Sequence, residues 1–228
     1  MTSNTDLLTF LRETPLLAGF DDAFTAELVR RCRLRRLQKG EILFLQADRA
    51  DAAYLVRSGS ISLFLTNLDG RELVVNEMRP GDVFGELAML TDMSRSTAAI
   101  ARLTTEVVVI PREVLLAVLD AEPRLARRLL EIVALRLYSS SYRESSLAFL
   151  DAETRLANLL LQLDTESSDL GYVIISQSEL AQRLGLARQT VANILGKWRR
   201  FGWLITGRGR IMVLRRDALR EYDQRHVD

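Results

Sequence analysis

The chain has 228 residues, a formal net charge of +1 and 48% hydrophobic residues, the size and apolar content of one large or two small domains with a buried core. No run approaches the ~20 apolar residues of a membrane span, and the N-terminus MTSNTDLLTF lacks a signal-peptide pattern, so a cytoplasmic protein away from membranes is expected. A single cysteine, Cys32, excludes an internal disulfide or a four-cysteine iron–sulfur site, and the only histidine, His226, leaves no catalytic triad or multi-histidine metal site. The expectation is a non-enzyme with no catalytic residues, no metal and no cofactor.

Residues 5–36 carry apolar residues at helical spacing with a break at Pro15-Leu16-Leu17-Ala18-Gly19-Phe20, and most of this stretch is expected to be helix. From Leu37 the pattern changes to short apolar runs: EILFLQ, AAYLVRSGSISLFL, LDGRELVVNEM, RPGDVFGELAML and STAAIARLTTEVVVI. Asp69-Gly70 is a hairpin signal, and Gly40, Gly59 and Gly81 fall between runs. About five to eight strands at this spacing predict an all-β sandwich or barrel. A parallel sheet is disfavoured, because no crossover helix of about 12 residues separates the runs.

Within these runs, Gly85-Glu86-Leu87-Ala88 could open a helical turn with free N–H groups, and Arg95-Ser96-Thr97 follows after a short loop. Backbone amides, an arginine and a hydroxyl converging on one point suit a phosphate, and a nearby carboxylate suits a sugar hydroxyl. Taken residue by residue, a Glu–Arg ion pair on a strand turn accounts for the same cassette.

Pro123 opens a long helix ending near Leu150, since proline is tolerated where its missing N–H would be unpaired anyway. Leu125, Leu129 and Ile132 form one apolar stripe, expected to face the β domain. Ala126, Leu130, Val133, Leu137, Ser140, Glu144 and Leu147 form another with alternating steps of four and three, the seam of a parallel two-stranded coiled coil and hence of a homodimer. A helix lying wholly within its own chain's core is the alternative. The seam turns polar at Ser140 and Glu144, where polar groups cost energy unless satisfied, and such a place suits a ligand reaching the interface.

Asp151 is a candidate N-cap for a helix over 151–165, and ESSDLG then leads to a short strand, YVII. In SQSELAQRLGLARQTVANILGKWRR, Ser176 and Glu179 form a capping box, and Leu180, Ala181 and Leu184 recur at helical spacing before Gly185. A second helix from about Ala187 buries Val191, Ile194, Leu195 and Trp198 and turns Arg188, Gln189 and Asn193 outward. That is the arrangement of a helix-turn-helix whose second helix enters a DNA major groove, although a plain αα-hairpin shares the pattern. From Arg183 to Arg216 there are nine Lys or Arg and no Asp or Glu, the footprint expected where phosphates are neutralised. WLITGRGRIMVL reads as two strands joined around Gly207-Arg208-Gly209-Arg210, a basic wing. Ser178, Lys197, Arg208 and Arg210 join the recognition-helix residues as candidate DNA contacts.

The order of these parts, with GDVFGELAML, RSTA and LAFLD, resembles the cyclic-AMP receptor protein and fumarate–nitrate regulator (Crp/Fnr) family of bacterial transcription factors over nearly the whole chain. The resemblance implies an α+β chain: a cyclic-nucleotide-binding β-roll (a double-stranded β-helix) at 1–122, a dimerisation helix at 123–150 and a winged helix-turn-helix at 151–228. It implies that Glu86 holds a ribose hydroxyl, that Arg95 and Ser96 hold a cyclic phosphate with Gly85 and Leu87 beside them, and that Arg136 pairs near Glu86. Ser140 and Ser141 fall where the family's Thr-Ser pair reaches adenine across the dimer interface. Arg188, Gln189 and Asn193 match the base-reading positions, with Thr190 at a phosphate, on an inverted-repeat operator in double-stranded DNA with half-sites about one helical turn, ~34 Å, apart.

The sequence departs from the family pattern at Ser140, Glu144, Gln189 and Asn193. One cysteine argues against an oxygen-sensing cluster, and the lack of a usable histidine argues against a haem sensor. Cyclic AMP is the expected effector, with cyclic di-GMP, another metabolite or no effector as alternatives. A regulatory or scaffold protein without DNA binding is a further one. RNA polymerase is a partner that the resemblance implies near residues 164–171.

Overall fold

The computed structural model describes residues 4–68, 70 and 72–224. They divide into two compact units, one running through Leu65 and including Val75–Arg136, the other made of Thr66–Val74 and residues from Leu137 on.

The first unit opens with α1 (Asn4–Glu13) and α2 (Asp22–Arg31), the latter capped by Asp21, whose Oδ1 accepts from the Phe24 N–H at 2.8 Å. Along the chain, eight strands follow among the described residues, the end of β4 and the start of β5 lying in the Thr66–Val74 segment: β1 (Arg33–Leu37), β2 (Ile42–Phe44), β3 (Ala52–Ser58), β4 (Ile61–Thr66), β5 (Glu72–Met78), β6 (Val83–Phe84), β7 (Ala98–Ala101) and β8 (Thr105–Pro111). They form two four-stranded sheets, ordered β1-β8-β3-β6 and β2-β7-β4-β5. The expected sandwich of short strands is present, and the ladders of β3 with β6 and β8, and of β7 with β2 and β4, are antiparallel. Asp69 of the hairpin signal lies outside the described residues; Gly70 is left-handed at φ +75.

Strands β3 and β8 are buried on both faces. Val107 and Val109 join Tyr54, Val56 and Phe84 between the sheets, while Val108, Ile110 and Leu55 join the helices. Side chains alternate across a strand, so a run such as VVVI feeds two cores at once. The short helix α3 (Glu86–Thr91) and α4 (Arg112–Ala121) complete the unit with the first half of α5 (Pro123–Phe149).

Two expectations are corrected. Residues 33–36 are strand rather than helix, because RLRRL pairs residue by residue with β8, from Arg33 opposite Val109 to Leu37 opposite Thr105. Ladder pairing overrides a local sequence with four exposed positions. Helix α4, over REVLLAVLDA, had no counterpart in the sequence reading; it forms because Val114, Leu115 and Val118 fall on one face and bury in the same core as Leu125 and Leu129.

Helix α5 has the expected length, 27 residues, and it ends in the second unit. Leu125 and Leu129 are buried against the β-roll as predicted, with Ile132 packed on the same core. The second stripe is not taken up by its own chain: Leu130 is 68% exposed, Leu137 67% and Leu147 47%. No helix among the described residues is long and apolar enough to cross a membrane.

In the second unit, α6 (Ala152–Glu166) is capped by Asp151, whose Oδ1 accepts from the Thr154 N–H at 2.7 Å. Next come β9 (Val173–Ile174), α7 (Gln177–Leu184), α8 (Arg188–Arg200), β10 (Leu204–Gly207), β11 (Arg210–Val213) and α9 (Arg216–Gln224). Ser176 Oγ accepts from the Glu179 N–H at 3.1 Å and the Glu179 carboxylate accepts from the Ser176 N–H at 2.8 Å, the predicted capping box. Gly185 ends α7 in the left-handed region at φ +64. Leu180, Val191, Leu195 and Trp198 are at most 1% exposed and pack with Leu156, Leu160 and Leu219. Helix α9 was not anticipated; its Leu219 and Tyr222 close this core.

Candidate functional site

Strand β6 leads into α3 through Gly85, whose φ of +76 permits the sharp entry. A side chain there would be strained by that φ, and its Cβ, 2.6 Å from Arg95 Nη1, would force the arginine to shift. The turn brings Glu86 inside the first unit, where it is only 1% exposed. Arg136, on α5, donates from Nη1 to Glu86 Oε1 at 2.8 Å and also donates to the Val83 carbonyl. The other carboxylate oxygen, Oε2, is buried with no partner. Burial pushes the Glu86 carboxyl above the ordinary glutamate value, chiefly by desolvation, with Arg136 opposing.

Arg95 is 3% exposed. Its Nη1 donates to the Gly85 carbonyl at 2.8 Å and its Nη2 to the Ala52 carbonyl at 2.6 Å, while Nε is buried without a partner. The guanidinium lies over the Phe44 ring at 4.3 Å and near the Tyr54 ring at 5.4 Å. Burial lowers the affinity of Arg95 for its proton. Gly85, Glu86, Arg95 and Arg136 are thus gathered in one unit, as the sequence implied. Leu87 and Ser96 are exposed beside them, and Ser140 and Ser141 lie further along α5 in the second unit. Phe44 and Tyr54, which the sequence reading did not single out, lie against the arginine.

In the second unit Arg188, Gln189 and Asn193 project from the start of α8, and Gln189 Nε2 donates to Asn193 Oδ1 at 2.9 Å. Thr190 is half-buried next to them. A cleft of about 240 Å³ is lined by Ser176, Ser178, Arg188, Thr206, Gly207 and Gly209 among others, so it opens where α7, α8 and the wing meet. Arg208 is exposed between β10 and β11, and Arg210 covers the Tyr172 ring at 5.0 Å.

The basic window is partly neutralised by acids from outside its sequence. Lys197 Nζ is held by both oxygens of Glu153 at 2.8 and 2.9 Å, and Arg216 pairs with Asp164 at 2.6 Å. Lys197, an expected DNA contact, therefore also ties α8 to α6 through its partly exposed side chain. Arg188, Arg199, Arg200 and Arg208 make no ion pair with a described residue.

A β-roll with a buried glutamate–arginine cassette, followed by a winged helix-turn-helix, defines a ligand-sensing DNA-binding regulator. The cyclic nucleotide-binding domain matches residues 34–122, and the Crp-like helix-turn-helix domain matches residues 154–222. The cyclic AMP receptor protein of Thermus thermophilus is 35% identical over 189 residues, spanning 82% of this chain and 87% of that protein. The CRP-like cAMP-activated global transcriptional regulator of Mycobacterium tuberculosis is 27% identical over 200 residues, spanning 85% and 89%. The solved structure of the c-di-GMP responsive global regulator CLP of Xanthomonas campestris superposes with a TM-score of 0.77 at 26% identity, spanning 84% of this chain and 99% of that one. The chain belongs to the Crp/Fnr family of transcription regulators.

Proposed function

We propose that the protein is a homodimeric, cytoplasmic transcription regulator that binds an inverted-repeat operator under the control of cyclic AMP held in the β-roll. The observation that carries the effector reading is a pair of buried, unsatisfied atoms in one cassette, Glu86 Oε2 and Arg95 Nε. A buried polar group without a partner costs roughly 1–3 kcal/mol, and such groups call for a ligand of complementary chemistry. A ribose hydroxyl donates to the carboxylate oxygen and a cyclic phosphate accepts from the arginine. Ser96, Leu87 and the backbone at Gly85 complete the contacts, and Ser140 and Ser141 receive the base.

Exposed Leu130, Leu137 and Leu147, with Val133 and Glu144 between them, supply the seam on which a second copy packs. Ligand at Ser140 and Ser141 favours one arrangement of the paired helices, a population shift driven by its better fit to that state. The DNA-facing set is Ser178, Arg188, Gln189, Thr190, Asn193, Arg208 and Arg210, and RNA polymerase is the partner that would read the bound dimer.

Calorimetry of the chain against cyclic AMP, cyclic GMP and cyclic di-GMP tests the effector. The reading requires cyclic AMP to bind tightest and Arg95→Leu to abolish it. Preference for cyclic di-GMP would transfer the effector to the class named for the Xanthomonas regulator.

A further inference from the structure

Strands β1 and β2 are the end strands of their two sheets and do not pair with each other. Beside them is a cavity of about 310 Å³, lined by Arg33, Arg35, Arg49, Asp48, Asp51 and the buried Arg95, with the Phe44 and Tyr54 rings in its wall. Arg35 is engaged with Glu41 at 3.1 Å, whereas Arg33 and Arg49 make no ion pair with a described residue. Asp48 is spent locally, its Oδ2 accepting from the Leu45 N–H at 2.7 Å. Asp51 has a side chain 79% exposed and stands 3.8 Å from Arg95 Nη2. Four arginines against two aspartates leave a surplus of positive charge in a concave site walled on one side by a buried guanidinium.

We propose that this cavity is a second anion site, taking a small phosphorylated metabolite or a diphosphate held by Arg33 and Arg49. Arginine forks match phosphate oxygens in pairs, and such charge-assisted bonds are shorter and stronger than neutral ones. A flat basic patch would suit a macromolecular surface, but a cavity of this size with a buried arginine fits a compact anion better. Arg95 belongs to both this wall and the cassette, so an anion that draws on Arg95 weakens the hold on an effector phosphate. That coupling, unlike the site itself, rests on the reading of Arg95 as the effector's phosphate ligand.

Inorganic pyrophosphate in metal-free buffer is the probe, titrated by calorimetry into the full chain, the double variant Arg33→Ala/Arg49→Ala and, separately, Arg188→Ala. The expected result is one pyrophosphate per chain, weakened by about tenfold or more in the double variant and unchanged in Arg188→Ala. Absence of binding, equal binding in all three proteins, or loss in Arg188→Ala alone would overturn the site. A second titration, of cyclic AMP with and without saturating pyrophosphate, reads the coupling. Cyclic AMP should bind more weakly in the presence of pyrophosphate to the unmodified chain and equally well with or without it to the double variant. An unchanged affinity in the unmodified chain would overturn the coupling and leave the site standing. A failure of cyclic AMP to bind at all sinks the effector assignment, while the pyrophosphate titrations still decide the second site.

Discussion

Arg136 Nη1 donates to Glu86 Oε1 at 2.8 Å while Glu86 Oε2, a covalent neighbour of that oxygen, is buried with no partner. The pair ties the long helix to the cassette through one carboxylate oxygen and leaves the other without a partner. On the proposed reading, a ligand hydroxyl at Oε2 would share this carboxylate with α5.

Glu86→Gln removes the charged acceptor, so cyclic AMP affinity should fall by roughly 1–3 kcal/mol, about 5- to 150-fold, with the fold retained. Calorimetry checks the affinity and circular dichroism the fold.

A pH dependence follows from the direction of the Glu86 shift. Its folded value is raised by burial, so the carboxylate needed for the hydroxyl is lost at higher pH than an ordinary glutamate would lose it. Cyclic AMP binding should weaken as pH falls toward that raised value and recover above it. In Glu86→Gln this part of the pH profile should be flat, and a steep profile in that variant would assign the titration to another group.

Gly85→Ala should cost binding more than any exposed cassette substitution. The left-handed φ of +76 is strained for alanine by about 1–2 kcal/mol, and the new methyl displaces Arg95 Nη1. A lower melting temperature together with loss of cyclic AMP binding is the expected pair of results.

The seam on α5 is tested by Leu137→Asp. A residue 67% exposed in the single chain loses little when made polar, but in a dimer two aspartates would face each other across the seam. Analytical ultracentrifugation should show a dimer for the unmodified chain and a monomer for the variant. An unmodified monomer would remove the seam altogether.

Arg188→Ala should lower operator affinity by ~1–3 kcal/mol and relax preference at one base pair. Arg208→Ala should weaken all sequences alike and reduce the salt slope by about one. Binding assays on operator and scrambled DNA across a salt series separate the two outcomes.

Where a segment's own period matches its burial, it was legible without coordinates. The α7 capping box, the stop at Gly185, the stripe of Val191, Leu195 and Trp198, and the course of α5 are set by residues on the same helix. The cassette's members were legible as a set because Gly85 and Glu86 open a helix and Arg95 follows a short loop. What the set does was not, since an ion pair within the cassette and a ligand site share those residues.

Tertiary structure alone decided the rest. Strand β1 exists because β8 offers a ladder to an arginine-rich segment whose own pattern does not ask for one. Arg95 donates to the carbonyls of Gly85 and Ala52 against the stacked rings of Phe44 and Tyr54, partners that its own segment does not announce. Lys197 finds a partner in Glu153, 44 residues away, that nothing in its own helix announces. Charge and periodicity are local properties of a chain, whereas partners and desolvation depend on which distant segments the fold brings within a few ångströms.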